Sequence, residues 1–394
     1  MKTKFLLFIL FILTTTTFSQ EVNFDIGTIN KKKYFEEINF QLVYDKIVLP
    51  VVINGKEYNF LLDTGAPNII SKKVFEALNL EKTKSITVND ANNLNETMQS
   101  VQIPKLAIGS LVFENQTALV YDLDNHNLLQ CFKLDGFIGS NLLRNSIIKI
   151  SKSEKKIIVT DNIKNLNPTV KPSKIKLIGS QKAPYIEFDF IGKNKETASD
   201  MVLIDTGMSG FYDMSNRAFK IFDEHKIFEI LGKSEGLNGI GLFGTGKANL
   251  QHLLTIETAI VNRTLIKNLV INTTDDTNSR IGLDFLNYTD LIIDFKSKNA
   301  YFETNSIITL ENFTPKYAPT ILNNKLVIGL VWDENLAKEM NFGDEIISID
   351  SIKIADLPFC DILSLKTQVE KKGNYTIEIK TKENKIKVLK IDKD

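Results

Sequence analysis

Two tripeptides, Asp63-Thr64-Gly65 and Asp205-Thr206-Gly207, constrain this chain more than any other feature of its sequence. Each follows an apolar pair, Leu61-Leu62 in the first and Leu203-Ile204 in the second, that reads as the end of a strand. Each is followed by an apolar-Gly segment. In the first copy this is Phe137-Ile138-Gly139-Ser140-Asn141-Leu142-Leu143, and in the second Arg280-Ile281-Gly282-Leu283-Asp284-Phe285-Leu286. Asp63 and Gly139 are 76 positions apart, and Asp205 and Gly282 are 77 apart. Two motifs in the same order at nearly equal spacing predict the duplication of one structural unit.

The local pattern around each tripeptide is that of strands. Lys46 to Ile53 predicts a strand, Asn54-Gly55 a hairpin turn and Tyr58 to Leu62 the return, with helical spacing over 71–80. In the second copy Tyr185 to Ile191 and Met201 to Ile204 predict strands, with a helix over 215–228. Asn, Lys and Pro crowd residues 162–174, which reads as a linker. The expected division is a first unit at 20–161, a second at 175–308 and a C-terminal module at 312–394. The first two are expected to be mainly β, and the third a small α+β domain.

The 48 Lys and Arg balance 48 Asp and Glu, so no net field draws nucleic acid to this surface. Residues 1–19 read as a cleaved signal peptide, with Lys2 and Lys4 before a nine-residue apolar run from Phe5 to Leu13 and small residues near Ser19. That run is shorter than the roughly 20 residues a bilayer span needs, so a secreted or periplasmic protein without a stable span is expected. Cys131 and Cys360 fall in different units, 229 positions apart, and are expected as small buried apolar residues, not as a bridge. Two cysteines and three scattered histidines make no zinc cluster, and the HExxH and GxSxG patterns do not occur.

An Asp-Thr-Gly loop after an apolar strand holds a carboxylate on a rigid element. Its glycine permits a sharp turn and close approach of another backbone. Its threonine supplies a hydroxyl that can bond across a symmetry axis. Two such loops meeting would bring two carboxylates together, and like charges that close share one proton over a wide pH range. The ionised member can then take a proton from water while the other donates to a carbonyl oxygen.

These motifs resemble those of the retropepsin-type aspartic proteases, in their bacterial two-lobed, single-chain form. The resemblance covers about residues 35 to 305. It implies two retropepsin-like β-barrel lobes forming a pseudo-dimer, active as a monomer on a peptide or protein substrate, with no metal and no cofactor. Asp63 and Asp205 would be catalytic, Thr64 and Thr206 would grip one another's loops, and Gly65 and Gly207 would be the loop glycines. Two positions depart from the pattern: Met208 stands where a small residue is expected, and Ala66 where a hydroxyl could bond the carboxylate. Met208 predicts unequal halves, and Ala66 predicts a dyad titrating nearer neutral pH.

Flaps are expected at 85–103, with Asn92 and Asn93 at the tip, and at 236–250, where Ile240, Gly241, Leu242 and Phe243 would touch substrate. The second stretch fits GxGxxG, but no βαβ context surrounds it, so a glycine-rich hairpin is expected in place of a dinucleotide site. In the C-terminal module, Gly343-Asp344-Glu345-Ile346-Ile347-Ser348-Ile349-Asp350 resembles a PDZ domain, which implies a peptide ligand. The expected function is therefore an aspartic endopeptidase. The alternative is an inactive peptide-binding adaptor using the same cleft and module.

Overall fold

The structure, a computed structural model, describes residues 22–392 apart from 126, 238, 305–306, 312 and 372. The expected signal peptide, residues 1–19, lies outside the described residues.

Strand formation begins with the hairpin that leads into the first Asp-Thr-Gly loop. Asn54 and Gly55 both have positive φ, 49° and 77°, as a two-residue turn between twisted strands requires. They join Lys46–Ile53 to Lys56–Asp63, which pair antiparallel with Ile53 opposite Lys56. Alternation along the first strand buries Leu49, Val51 and Ile53 and leaves Val52 exposed. The Asp63 strand is flanked on its other side by Gly136–Gly139, which runs parallel to it with Gly139 opposite Asp63. The helix Lys72–Leu78 follows, with the Ser71 hydroxyl accepting from Val74 N at its start.

The second copy repeats this construction. Ala183–Ile191 pairs antiparallel with Thr197–Ile204, and Arg280–Ile281 lies parallel to the latter. Ser215 caps the following helix, Asn216–Glu224, by accepting from Ala218 N. The helix stops short of the expected residue 228 because Lys226 takes a positive φ of 54° just past the His225 cap and Ile227 N donates back to the Phe222 carbonyl at 3.2 Å, before the strand Glu229–Gly236.

The two halves share one sheet. Antiparallel pairing connects Phe35–Asn39, Lys156–Thr160, Ile147–Ser151, Asp290–Asp294, Asn299–Glu303 and Ser173–Ile178 in that order. The central contact sets Ile147 opposite Asp294 and Ile150 opposite Leu291. A single apolar core runs through both halves, with Phe60, Leu62 and Ile138 from the first and Phe188, Ile204 and Phe285 from the second. The sequence around 162–174 is not purely a connection, since Ile163–Asn165 forms a 3-10 turn and Ser173 already belongs to a strand.

C-terminal residues form a separate six-stranded sheet beside the helix Phe359–Lys371, around a core that includes Leu326, Ile328, Ile346 and Ile377. Its strand Lys325–Val331 lies against Glu229–Gly236 of the second half. There Val331 N donates to Ser234 Oγ at 2.8 Å and Leu237 N donates to the Gly329 carbonyl at 3.2 Å.

Cys131 and Cys360 form a disulfide, with 5.3 Å between their Cα atoms, which corrects the expectation of two unlinked thiols. Their separation of 229 positions is closed by the fold, because the helix Asn127–Phe132 of the first half packs on Phe359–Lys371. Among the described residues no helix is long and apolar enough to cross a membrane.

Candidate active site

The two Asp-Thr-Gly loops cross at the centre of the shared core. Thr64 Oγ1 donates to the Ile204 carbonyl at 2.6 Å and accepts from Thr206 N at 3.1 Å. The reciprocal pair runs from Thr206 Oγ1 to the Leu62 carbonyl at 2.9 Å and from Thr64 N to Thr206 Oγ1 at 3.0 Å. Both threonines are fully buried, so each hydroxyl satisfies two backbone groups that would otherwise be stranded away from water.

The crossing brings each carboxylate against the other loop's glycine. A Cβ on Gly207 would lie 2.5 Å from Asp63 Oδ2, and one on Gly65 would lie 3.1 Å from Asp205 Oδ1. The backbone ligands of the two carboxylates match. Asp63 Oδ1 accepts from Gly65 N at 2.9 Å and Ala66 N at 3.0 Å. Asp205 Oδ1 accepts from Gly207 N at 2.8 Å and Met208 N at 3.2 Å. The Met208 side chain is buried against Gly282 and Gly210, so its bulk leaves these loop hydrogen bonds intact.

Beyond the loops the symmetry ends. Phe137 stands opposite Leu61 beside the Asp63 strand, whereas Arg280 stands opposite Leu203 beside the Asp205 strand. The Arg280 guanidinium lies 3.6 Å from Asp205 Oδ2, 3.3 Å from Asp213 and 3.5 Å from Asp276. Lys46 reaches in from the first half and donates to the Gly207 carbonyl. Four acids and two bases thus converge. Burial first, then the neighbouring Asp205, pushes the Asp63 carboxyl up to about 7, against the Gly65 and Ala66 N–H groups and Lys46. Burial also raises Asp213 and Asp276, with Arg280 opposing, and lowers the Lys46 ammonium despite both loop carboxylates.

Against this geometry, residues 49–142 match a family model described as aspartyl protease. No functionally curated protein matches the chain. An aspartic proteinase from Irpex lacteus is similar to 70% of this chain and 98% of its own, at 11% identity and a TM-score of 0.44. A retropepsin-like aspartic protease from Rickettsia conorii is similar to 34% of this chain and 94% of its own, at 16% identity and a TM-score of 0.24.

The two expected flaps are hairpins whose tips meet. Lys82–Asn89 and Asn95–Ile108 form the first, and Glu229–Gly236 and Asn249–Val261 the second. Between the latter strands a small ladder pairs Ile240 with Thr245 and Gly241 with Gly244. Asn92 Nδ2 donates to the Gly244 carbonyl at 2.9 Å, and Asn93 Nδ2 donates to the Asp275 carbonyl. Of the predicted contact residues, Leu242 and Phe243 join an apolar cluster of the first half, while Ile240 packs with the C-terminal core.

Lys46, Arg280, Asp213 and Asp276 escaped the sequence reading. For Arg280 a signal existed: in the aligned repeats it occupies the place of Phe137, a charge within an otherwise apolar motif. Lys46, as one lysine at the start of an ordinary strand, carried none.

Proposed function

We propose that this chain is an aspartic endopeptidase of two lobes, in which Asp63 and Asp205 activate a water molecule. The observation that carries the reading is the reciprocal Thr64–Thr206 crossing, which sets two carboxylates with matched backbone ligands side by side. A lone buried carboxylate would be a liability, but a pair holding one proton between them is an acid and a base at once. In the proposed step the ionised carboxylate takes a proton from water as its oxygen bonds to the peptide carbonyl carbon. The protonated carboxylate donates to the carbonyl oxygen. The tetrahedral diol so formed collapses as the carboxyl that took the water proton passes it to the leaving nitrogen, the C–N bond breaks, and the other carboxylate takes a proton from a diol hydroxyl, so one proton is again shared by the pair. The chain's own groups suffice for every proton in this sequence.

In this reading residues 1–19 direct export and the mature protein is secreted or periplasmic. The disulfide between Cys131 and Cys360 supports an oxidising destination. The module from about 312 onward is read as PDZ-like, on its sheet and flanking helix together with the Gly343–Asp350 segment.

The test is cleavage of a mixed peptide library by the wild type beside Asp63→Asn and Asp205→Asn. Cleavage that both substitutions abolish is the expected result. Activity surviving both would remove the mechanism, and a wild type inert from acidic to neutral pH would remove the peptidase reading.

A further inference from the structure

Strand pairing sets a different residue at the same place in each half. Phe137 stands next to Leu61 in the first, and Arg280 next to Leu203 in the second. Arg280 also faces Asp213 across the antiparallel pair with Tyr212–Ser215. Its guanidinium is therefore held by two acids besides the loop carboxylate. Nη2 donates to Asp213 Oδ2 at 3.3 Å, while Nη1 lies 3.5 Å from Asp276 Oδ2 and 3.6 Å from Asp205 Oδ2. Asp276 is itself fixed through its other oxygen, which accepts from Asn278 N at 2.8 Å and Asn278 Nδ2 at 3.1 Å.

The side chains of Arg280 and Asp205 are only 12% and 10% exposed, so water screens their attraction poorly. Burial disfavours the Arg280 charge, but the acids outweigh it, Asp205 first and Asp63 last. Asp63 is treated differently: burial and then Asp205 raise its carboxyl, and the charge that opposes them is Lys46. Burial lowers the Lys46 ammonium against Asp205, Asp63 and Asp284. Tyr185, raised by burial and then by Asp276 and Asp205, donates to Asn278 Oδ1 at the edge of the cluster. When two carboxyls share one proton, it resides on the one whose ionised form its surroundings favour less.

We propose that Arg280 fixes the shared proton on Asp63 and keeps Asp205 ionised, so that Asp205 is the base toward water and Asp63 the acid toward the peptide carbonyl. The two roles rest on the peptidase reading; the placement of the proton does not. Asp205 then takes a proton from water as the water oxygen bonds to the carbonyl carbon, and Asp63 gives its proton to the carbonyl oxygen. On collapse Asp205 passes its proton to the leaving nitrogen and Asp63 recovers one from the diol, which restores the starting arrangement. Arg280 is a positioning residue in this sequence. It acts through Asp205, with Asp213 and Asp276 as its supports.

The test has two readouts. In the resting full-length protein, with aspartate carboxyls labelled with carbon-13, the Asp63 and Asp205 signals are identified by their loss in Asp63→Asn and Asp205→Asn. Between the ordinary carboxylate range and about pH 7, the Asp63 signal is expected at the position of a protonated carboxyl and the Asp205 signal at that of a carboxylate. Arg280→Gln is expected to bring the two signals toward each other. Arg280→Lys, which keeps the charge but not the planar fork, is expected to shift them less. In kinetics, the rising limb of kcat/KM reports the first ionisation of the pair. Arg280→Gln should move that limb to higher pH by about one unit, and Arg280→Lys should restore most of the wild-type position. A merely structural role would lower the rate at every pH and leave the limb in place. Wild-type signals that share the proton equally would overturn the proposal with no Arg280 variant needed, so poor folding of Arg280→Gln does not protect it. A limb unmoved or shifted to lower pH in Arg280→Gln would overturn it as well. A wild type that cuts nothing would sink the peptidase reading, while the carboxyl signals would still decide where the proton sits.

Discussion

The Asp63 carboxyl is raised to near neutrality because burial and Asp205 outweigh the groups that lower it. Burial and Asp205 push it up; two backbone N–H groups and the Lys46 ammonium pull it down, to about 7 in place of the ordinary 3.8. Because the folded value is raised, this group favours the folded state most below about pH 4. That contribution is lost as pH rises through about 7. In the proposed mechanism the same titration removes the proton shared by the dyad, so kcat/KM should fall as pH rises through about 7. Lys46 holds the value down, so Lys46→Met should move this falling limb to higher pH by on the order of one unit. Lys46→Arg, which keeps a positive charge, should move it less. A pH profile of kcat/KM for the three proteins checks this, and a limb unmoved or shifted to lower pH in Lys46→Met would contradict it. The sequence expectation rested on the hydroxyl that Ala66 lacks, but in the structure Ala66 bears on Asp63 through its N–H group, which lowers the value, while burial and Asp205 raise it. The larger cause is burial, which depends on how both halves close and which no single position reveals.

The elements that carry the dyad were legible because they are local. Asn54-Gly55, the apolar alternation of Lys46–Ile53 and the Ser71 and Ser215 caps all act over fewer than ten residues. The shared sheet was not legible in this way. Phe35 pairs with Thr160 and Ile147 with Asp294, and nothing in either segment names its distant partner. Crossing of the loops at their glycines makes the two halves unequal in a way that can be measured. A Cβ on Gly207 would press within 2.5 Å of the Asp63 carboxylate, whereas one on Gly65 meets Asp205 no closer than 3.1 Å. The first contact is closer than Cβ atoms tolerate, so Gly207→Ala must displace Asp63, its own loop or both. Misplacing a reacting group by about 1 Å costs on the order of a hundredfold in rate. Gly207→Ala should therefore lose at least that much in kcat, and Gly65→Ala distinctly less. Steady-state kinetics on the two variants, with circular dichroism to confirm folding, makes the comparison. Equal losses would mean that the loops relax alike and that the close approach does not constrain them.

Across the whole molecule, two fastenings of the C-terminal module stand out beside the apolar packing of Tyr44, Leu128 and Ile240 on its core. One is the strand contact between Lys325–Val331 and Glu229–Gly236 in the second half, and the other is the Cys131–Cys360 disulfide to the first half. The sequence concealed the second fastening, because a separation of 229 positions says nothing about which helices a fold will bring together. Trp332, the single tryptophan, lies at the first fastening, buried with Leu253 and Leu330. Its fluorescence therefore reports the docking of the module, while far-UV circular dichroism follows the sheets as a whole. A cross-link spanning so long a loop stabilises by roughly 2–5 kcal/mol, mainly by restricting the unfolded chain. With the disulfide intact, the fluorescence and dichroism transitions in urea should nearly coincide. In Cys360→Ser, or after reduction, the Trp332 transition should move to lower urea and separate from the dichroism transition, since the strand contact and the packing of Tyr44, Leu128 and Ile240 then hold the module without a cross-link. Transitions that stay together and unmoved without the disulfide would mean that the non-covalent contacts alone set the docking.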